Sequence, residues 1–285
     1  MPRSPQAAPA LPRPLSPSRA SDFKQCPLKY RLRTIDRLPE PPSAAAARGT
    51  LVHAALQRMF ADAPTARTES AVAGALPGIW SEMLAHEPAL AELPEVSDLG
   101  AWFDAAGALL HTYFAMEDPT RFEPEACELL VETTLGHGVP ARGVIDRLDV
   151  SPTGLIRVVD YKTGRAPAAA FADGALFQLK FYALMLLRLR GVVVARLRLI
   201  YLGDGQFLEY TPDRAGLEAF ESSVSALWGA ISEATATGNF PPKRSRLCDW
   251  CAFKPFCPEF GGTPPPYPHR VQHTAGAAAA SYSGD

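Results

Sequence analysis

The chain is expected to fold as an α/β protein: a helical first part, then the order βββαββα, then a short cysteine-bearing segment. Three observations predict this. Apolar residues recur at helical spacing over 44–61, 69–87 and 98–117. Three short β-branched runs follow at 129–135, 141–150 and 155–161, divided by Gly-Val-Pro and Ser-Pro-Thr-Gly turns. Beyond them a long helical pattern at 171–189 precedes two further strand patterns, 195–202 and 206–210, and a last helix at 214–237.

Taken in order, residues 1 to about 15 are rich in Pro and Ala and read as a disordered tail. Ser16-Pro17-Ser18 is a helix start, because proline suits the first helical position. That helix runs towards Gln25 and ends near Cys26-Pro27. The stretch 30–38 alternates basic and apolar residues until Pro39, Pro41 and Pro42 close it. In the 44–61 helix, Leu51, Ala54, Ala55 and Met59 share one face, with His53 to its side. The three β-branched runs read as consecutive antiparallel strands. Residues 261–285 are Pro, Gly, Ala and Ser, a second expected tail.

Composition sets bounds. At 285 residues the chain is long enough to bury a real core, and 47% hydrophobic with 20% charged residues is ordinary for a globular protein. The formal net charge of -2 advertises no nucleic-acid partner, so any such surface has to be a local basic patch. No apolar stretch approaches the roughly 20 residues that span a bilayer. The longest, 181–187, soon meets Arg188 and Arg190. Prolines between Arg3 and Arg13 break up any secretion-signal core. A cytoplasmic protein without a membrane partner is the expectation, and there cysteines serve as thiols or metal ligands.

The most informative residues lie on the second and third strands. Asp146 stands among apolar neighbours, and Asp160 ends a β-branched run. A strand-centre carboxylate is costly to bury unless it is paired or binds metal. On adjacent strands the two can face one pocket, a hard oxygen site suited to Mg²⁺ or Mn²⁺. Lys162 is two residues beyond Asp160 and leaves the same face. An ammonium beside a metal-bound water helps form hydroxide and stabilises charge on a phosphate. An isolated Asp-x-Lys would read as a surface ion pair; Ile145 and Val158-Val159 argue for burial instead.

Gly143-Val144-Ile145-Asp146-Arg147-Leu148-Asp149 followed by Val158-Val159-Asp160-Tyr161-Lys162-Thr163-Gly164 resembles the active-site core of the PD-(D/E)XK nuclease superfamily, and more narrowly its RecB-like exonuclease branch. Two further marks of that branch are present: a helical histidine in Arg48-Gly49-Thr50-Leu51-Val52-His53, and Gln-x-x-x-Tyr as Gln178 to Tyr182. The resemblance implies a restriction-endonuclease-like core, a central mixed sheet flanked by helices in αβββαβ order. It implies that Asp146, Asp160, His53 and the Tyr161 backbone carbonyl ligate the metal, and that Lys162 is the catalytic lysine. Gln178 and Tyr182, on one helical face, would contact substrate or position Lys162. Glu132, on the preceding strand, is an additional candidate acid.

Cys248, Cys251 and Cys257 form Cys-x2-Cys-x5-Cys among Trp250, Phe253 and Phe256, and need a fourth ligand, for which Cys26 is the natural candidate. Four cysteines can hold a [4Fe–4S] cluster or tetrahedral zinc. The pattern is similar to the iron–sulfur variant of the RecB-like branch, which implies the cluster. Such a metal would clip the two ends of the fold together. Cys127 reads as an apolar residue. Lys24, Lys29, Arg31 and Arg33 on one arm, with Lys243, Arg244, Arg246 and Lys254 on the other, would supply the basic patch.

The expected organisation is therefore one domain over 16–260: a helical part (16–120), a catalytic α/β core (121–240) and a cysteine-rich segment (241–260). The expected activity is metal-dependent hydrolysis of DNA, single-stranded or at duplex ends. The alternative is a non-catalytic iron–sulfur or zinc module that binds nucleic acid. No P-loop motif is present, so any helicase is a separate partner. The resemblance implies a role in DNA repair or recombination.

Overall fold

The structure, a computed structural model, describes residues 13–167 and 172–267. Most of both expected tails, 1–12 and 268–285, and the expected helix start at Phe171 lie outside the described residues.

Helix α1 (Pro17–Gln25) begins as the sequence predicts: Ser16 accepts a hydrogen bond from the Arg19 amide, and Pro17 fills the first position. The extended Cys26 separates it from a single turn, α2 (Pro27–Tyr30), which runs on into a wider turn at Arg31–Ile35. Leu15, placed by sequence at the end of a tail, is instead buried and bridges Ala141. Its apolar side chain has core to enter because the β-strand beside it has a free edge at that level.

Three helices follow: α3 (Ala44–Ala61), α4 (Glu69–His86) and α5 (Leu99–Met116), each capped by the side chain before it, Ser43, Thr68 and Asp98. The buried face of α3 is wider than expected, with Val52, Leu56 and Phe60 beside Leu51, Ala55 and Met59.

A five-stranded mixed sheet comes next: β1 (Ala126–Leu135), β2 (Val139–Val150), β3 (Ile156–Lys162), β4 (Arg196–Tyr201) and β5 (Gln206–Tyr210), in spatial order 1-2-3-4-5. All neighbours are antiparallel except β3 and β4, whose parallel pairing requires the crossover helix α6 (Ala172–Arg190). Helix α7 (Arg214–Thr237) packs beside α6, and Gly238 in the left-handed conformation ends it.

The sheet divides two cores. Val131, Ile145, Leu148, Val158 and Leu199 face α6 and α7. Val159, Tyr161 and Ile200 face α3, α4 and α5, where Trp80 and Trp102 meet at 5.1 Å. The chain end returns to the start. Tyr267 donates to the Thr235 carbonyl and packs on Phe240, which stacks on Tyr30. The second expected tail therefore contributes its residues up to Tyr267 to the fold, held by an aromatic ring that a composition rule overlooks.

Candidate active site

β1 and β2 both switch faces at one level. Ile145 points towards α6, yet Arg147 points towards α5; Leu129 and Cys127 divide in the same way. The switch falls at Glu128, whose φ of 47° is rare for a residue with a side chain, and at Asp146 across from it. Pairing of β2 with β3 runs only from Val150–Ile156 to Arg147–Val159. Beyond that the strands part, and the next residues in register are Asp146 and Asp160. Glu128, Asp146 and Asp160 thus form one row of carboxylates across three strands.

The parted strands leave the peptide of Tyr161 without a backbone partner on β2. The Asp146 carboxylate accepts from its N–H at 2.8 Å, and its carbonyl meets His53 Nε2 at 3.1 Å. His53 descends from α3, with Nδ1 lying 3.5 Å from Asp146 and 3.8 Å from Glu128. The carbonyl expected as a metal ligand meets the imidazole here, leaving Nδ1 turned to the carboxylates.

Asp160 is buried. Its Oδ1 accepts from Gln178 Nε2 at 2.7 Å, and its Oδ2 lies 2.5 Å from Lys162 Nζ without a hydrogen bond of proper geometry. Gln178 also accepts from Lys162 Nζ at 2.9 Å and donates to the Tyr182 hydroxyl at 3.1 Å. One amide therefore joins carboxylate, ammonium and phenol. Tyr182 fits because residue 143 is glycine: a Cβ there would lie 2.7 Å from the tyrosine ring.

Electrostatics mark the same place. Burial, and then the charge of Asp160, push Asp146 up to about 7. Burial alone would lower His53, but the carboxylates of Glu128, Asp146 and Asp160 around it outweigh that and raise the imidazole. Carboxylates crowd here with too little positive charge. His53, Glu128 and Asp146 each offer a ligand atom, all within 4.8 Å of one another, a set that could hold a divalent cation. The buried Asp160 oxygen that lacks a hydrogen bond fits the same demand.

A family model for the PD-(D/E)XK nuclease superfamily matches residues 14–258. The chain belongs to this superfamily. Its members usually use divalent metal ions, which suits the carboxylate row. Among solved structures, a protein of Eubacterium rectale, provisionally described as an exonuclease, superposes with a TM-score of 0.57 at 16% identity, over 83% of this chain and 86% of its own. At that identity the likeness is one of fold. A second structure, SSO0001, is also 16% identical over 75% of this chain and 95% of its own, with a TM-score of 0.36, too low to bear on the site. No curated protein gives a significant match. The restriction-endonuclease-like fold expected from sequence is the one found.

For a nuclease of this superfamily, sequence reasoning chose the wrong acid on β1. Glu132 is exposed and pairs with Arg142 at 3.4 Å, whereas Glu128 reaches the site. The face switch at Glu128 changes which residues point inward, and its only sign in the sequence was the break in β-branched character before Leu129. Arg147 was missed as well. It is wholly buried, pairs with Glu117 at 2.7 Å and Asp149 at 3.0 Å, and donates to the Tyr161 hydroxyl at 2.6 Å.

Cys26, Cys248, Cys251 and Cys257 line one cavity, reached from α1 and from the turns after α7. Phe253 anchors that segment by packing on Leu28 and Leu32. Cys127 is half-buried against the α3–α5 core. The basic arms are less free than expected. Lys29 and Arg33 both pair with Asp22, Arg33 also with Glu40, and Arg31 with Asp36. Acids interspersed on the same arm neutralise them. Among the described residues no helix is long and apolar enough to cross a membrane.

Proposed function

We propose that the chain is a Mg²⁺- or Mn²⁺-dependent DNA exonuclease of the RecB-like branch, acting in DNA repair or recombination beside a separate helicase. The observation that carries this reading is the carboxylate row Glu128, Asp146 and Asp160, set against His53 and Lys162. Asp146, Asp160 and His53 would hold the cation, with Glu128 as a further ligand. A bound cation supplies Lewis acidity and an acidified water. Lys162 orients the attacking water and offsets charge as that oxygen bonds to phosphorus and the ester bond breaks. Gln178 fixes the ammonium against Asp160, and Tyr182 fixes Gln178. Lys162→Ala is expected to lower DNA cleavage about 10²–10³-fold or more, as loss of a transition-state donor does elsewhere, with binding retained. If purified wild-type protein with Mg²⁺ or Mn²⁺ cuts neither single- nor double-stranded DNA, the non-catalytic binding reading replaces this one.

The four cysteines, in this reading, hold a [4Fe–4S] cluster that clasps the ends of a single domain spanning about 16–260. Peptide N–H groups donate to sulfur at Cys26 (from Lys243, 3.4 Å), at Cys248 (from Ser245, 3.3 Å) and, from Glu259, at Cys257. Such bonds favour thiolates and tune cluster potentials. The likeness of the cysteine pattern to the iron–sulfur variant favours the cluster over tetrahedral zinc. Protein purified without oxygen is expected to be brown, with iron and sulfide in equal amounts; colourless protein carrying one zinc is the contrary result.

A further inference from the structure

The parting of β2 from β3 opens, on the α6 side of the carboxylate row, into a cavity of about 430 Å³. Ser18, Arg19, Arg142, Val144, Gln178 and Tyr182 are among its walls. Gln178 and Tyr182 belong to the candidate active site too, so the cavity is continuous with it. On the opposite flank a second hollow runs from His53 and Glu128 past Thr50 to Gln57. The row therefore lies in the floor of a groove open on both sides.

The flanks differ in charge. Among the described residues the His53 hollow has no Lys or Arg in its walls, and it contains the Glu128 carboxylate. The α6 side holds Arg19 and Arg142, and Arg13 is near enough to act on Arg19: burial, then the charges of Arg13 and Arg142, lower its pKa. Glu132 partly neutralises Arg142, while Arg13 and Arg19 have no acidic partner among the described residues. Arg19 is steadied by donating to the Pro14 carbonyl at 2.5 Å. The backbone adds a donor. The Arg142 amide leaves β2 towards the Leu15 carbonyl at 2.8 Å, so the Val144 amide, two residues on, leaves the same edge into the cavity.

We propose that this cavity is a phosphate subsite for a single nucleic-acid strand, in which Arg19 and Arg142, with Arg13 at the rim, hold a backbone phosphodiester beside the scissile one. The long strand, a polyanion, lies on the basic flank, and the released nucleotide leaves by the flank that carries Glu128. The size agrees: clefts of roughly 300–1,000 Å³ hold small ligands, and the space between α1, β2 and α6 falls in that range. The inference rests on the nuclease reading for its substrate.

The test measures binding of a fluorescent oligothymidylate to the full chain by anisotropy across a salt series, in the Lys162→Ala background so that no cleavage intrudes. Each phosphate contact removed is expected to flatten the slope of log affinity against log salt by about 0.7. Arg19→Gln and Arg142→Gln should each do so, Arg19→Lys should restore most of the slope, and Arg58→Gln, remote on α3, should leave it unchanged. In the cleaving protein the two Gln variants should raise KM for the strand and spare kcat. Unchanged slopes in both variants, or an equal loss from Arg58→Gln, overturn the subsite. Should Arg19→Gln unfold the protein by releasing Pro14, the exposed Arg142 decides alone. A wild type that binds with the expected slopes but never cuts sinks the nuclease reading and leaves the subsite; one that cuts with slopes unaffected does the reverse.

Discussion

Asp146 and Arg147 are neighbours on β2, yet their charges sit in opposite kinds of electrostatics. Arg147 is a buried cation whose charge is matched: carboxylates from Glu117 and Asp149, the Tyr161 hydroxyl, and the rings of Phe60 and Phe122 at 5.5 and 4.7 Å surround it, although its Nε faces Asp149 Oδ1 as an ion pair without a well-formed hydrogen bond. Arg157, Arg198 and Glu209 extend the network to the sheet edge. Asp146 is a buried anion beside more anions, with one imidazole and one distant ammonium against Glu128 and Asp160. A charge network that closes on itself is scaffold. One left short of counter-charge is poised for a ligand, and here the missing partner has the sign of a metal ion. Tyr161 joins the two, its ring held by Arg147 and its peptide by Asp146 and His53.

The largest expected effect breaks the satisfied side. Arg147→Met leaves Glu117 and Asp149 with only Arg198 and Arg157 at their outer edge, and removing one partner of a buried ion pair typically costs about 3–5 kcal/mol. Chemical denaturation should show a loss of that order, whether or not divalent metal is present. A loss under about 1 kcal/mol would mean that water reaches the network and that the contrast between the two charge clusters is false.

Much of this arrangement could be read from residues alone. The helices, the strands, and Asp146, Asp160, Lys162, Gln178 and Tyr182 all follow from periodicity and motif, because strand period two and helix period four fix which side chains share a face. What escaped was non-local. A pattern of period two carries no mark of the point where two strands exchange faces together, so Glu132 stood where Glu128 belongs. Whether Arg147 is solvated or buried depends on α5 supplying Glu117 and Tyr113, which lie far away in the chain. The neutralised basic arm is a similar case, since Asp22, Asp36 and Glu40 were visible but their pairings were not.

A second prediction concerns the unsatisfied side. Both Asp146 and His53 hold protons more tightly in the folded, metal-free protein than when unfolded. A raised folded-state pKa contributes stability that is present below the unfolded value and lost as pH rises through the folded one. For Asp146 the window runs from about pH 4, its unfolded value, to about 7. Metal-free protein in EDTA should therefore lose melting temperature as pH climbs through that window, and saturating Mn²⁺ should remove the trend. Asp146→Asn should flatten the slope and raise the metal-free melting point near pH 8 by a few degrees, since about 1 kcal/mol is worth roughly 2–4 °C in a chain of this size. An Asn variant that melts lower at pH 8 than wild type in EDTA would show that the carboxylates are not frustrated at all.

The smallest effect sharpens the link between packing and chemistry. Gly143→Ala places a methyl 2.7 Å from the Tyr182 ring, while the next contact, Met185 sulfur, is at 3.7 Å. Only the tyrosine is forced to move, and its hydroxyl carries Gln178, which in turn carries Lys162 and Asp160. A displacement of a few tenths of an ångström at the end of that chain should cost about tenfold in kcat, or ~1.4 kcal/mol of transition-state stabilisation. Binding of DNA and the melting temperature should change little. Tyr182→Phe, which keeps the ring but removes the hydroxyl, separates the causes. If Gly143→Ala is impaired and Tyr182→Phe is not, the methyl acts through β2 and Asp146; if both fall together, position passes from Tyr182 through Gln178 to the lysine.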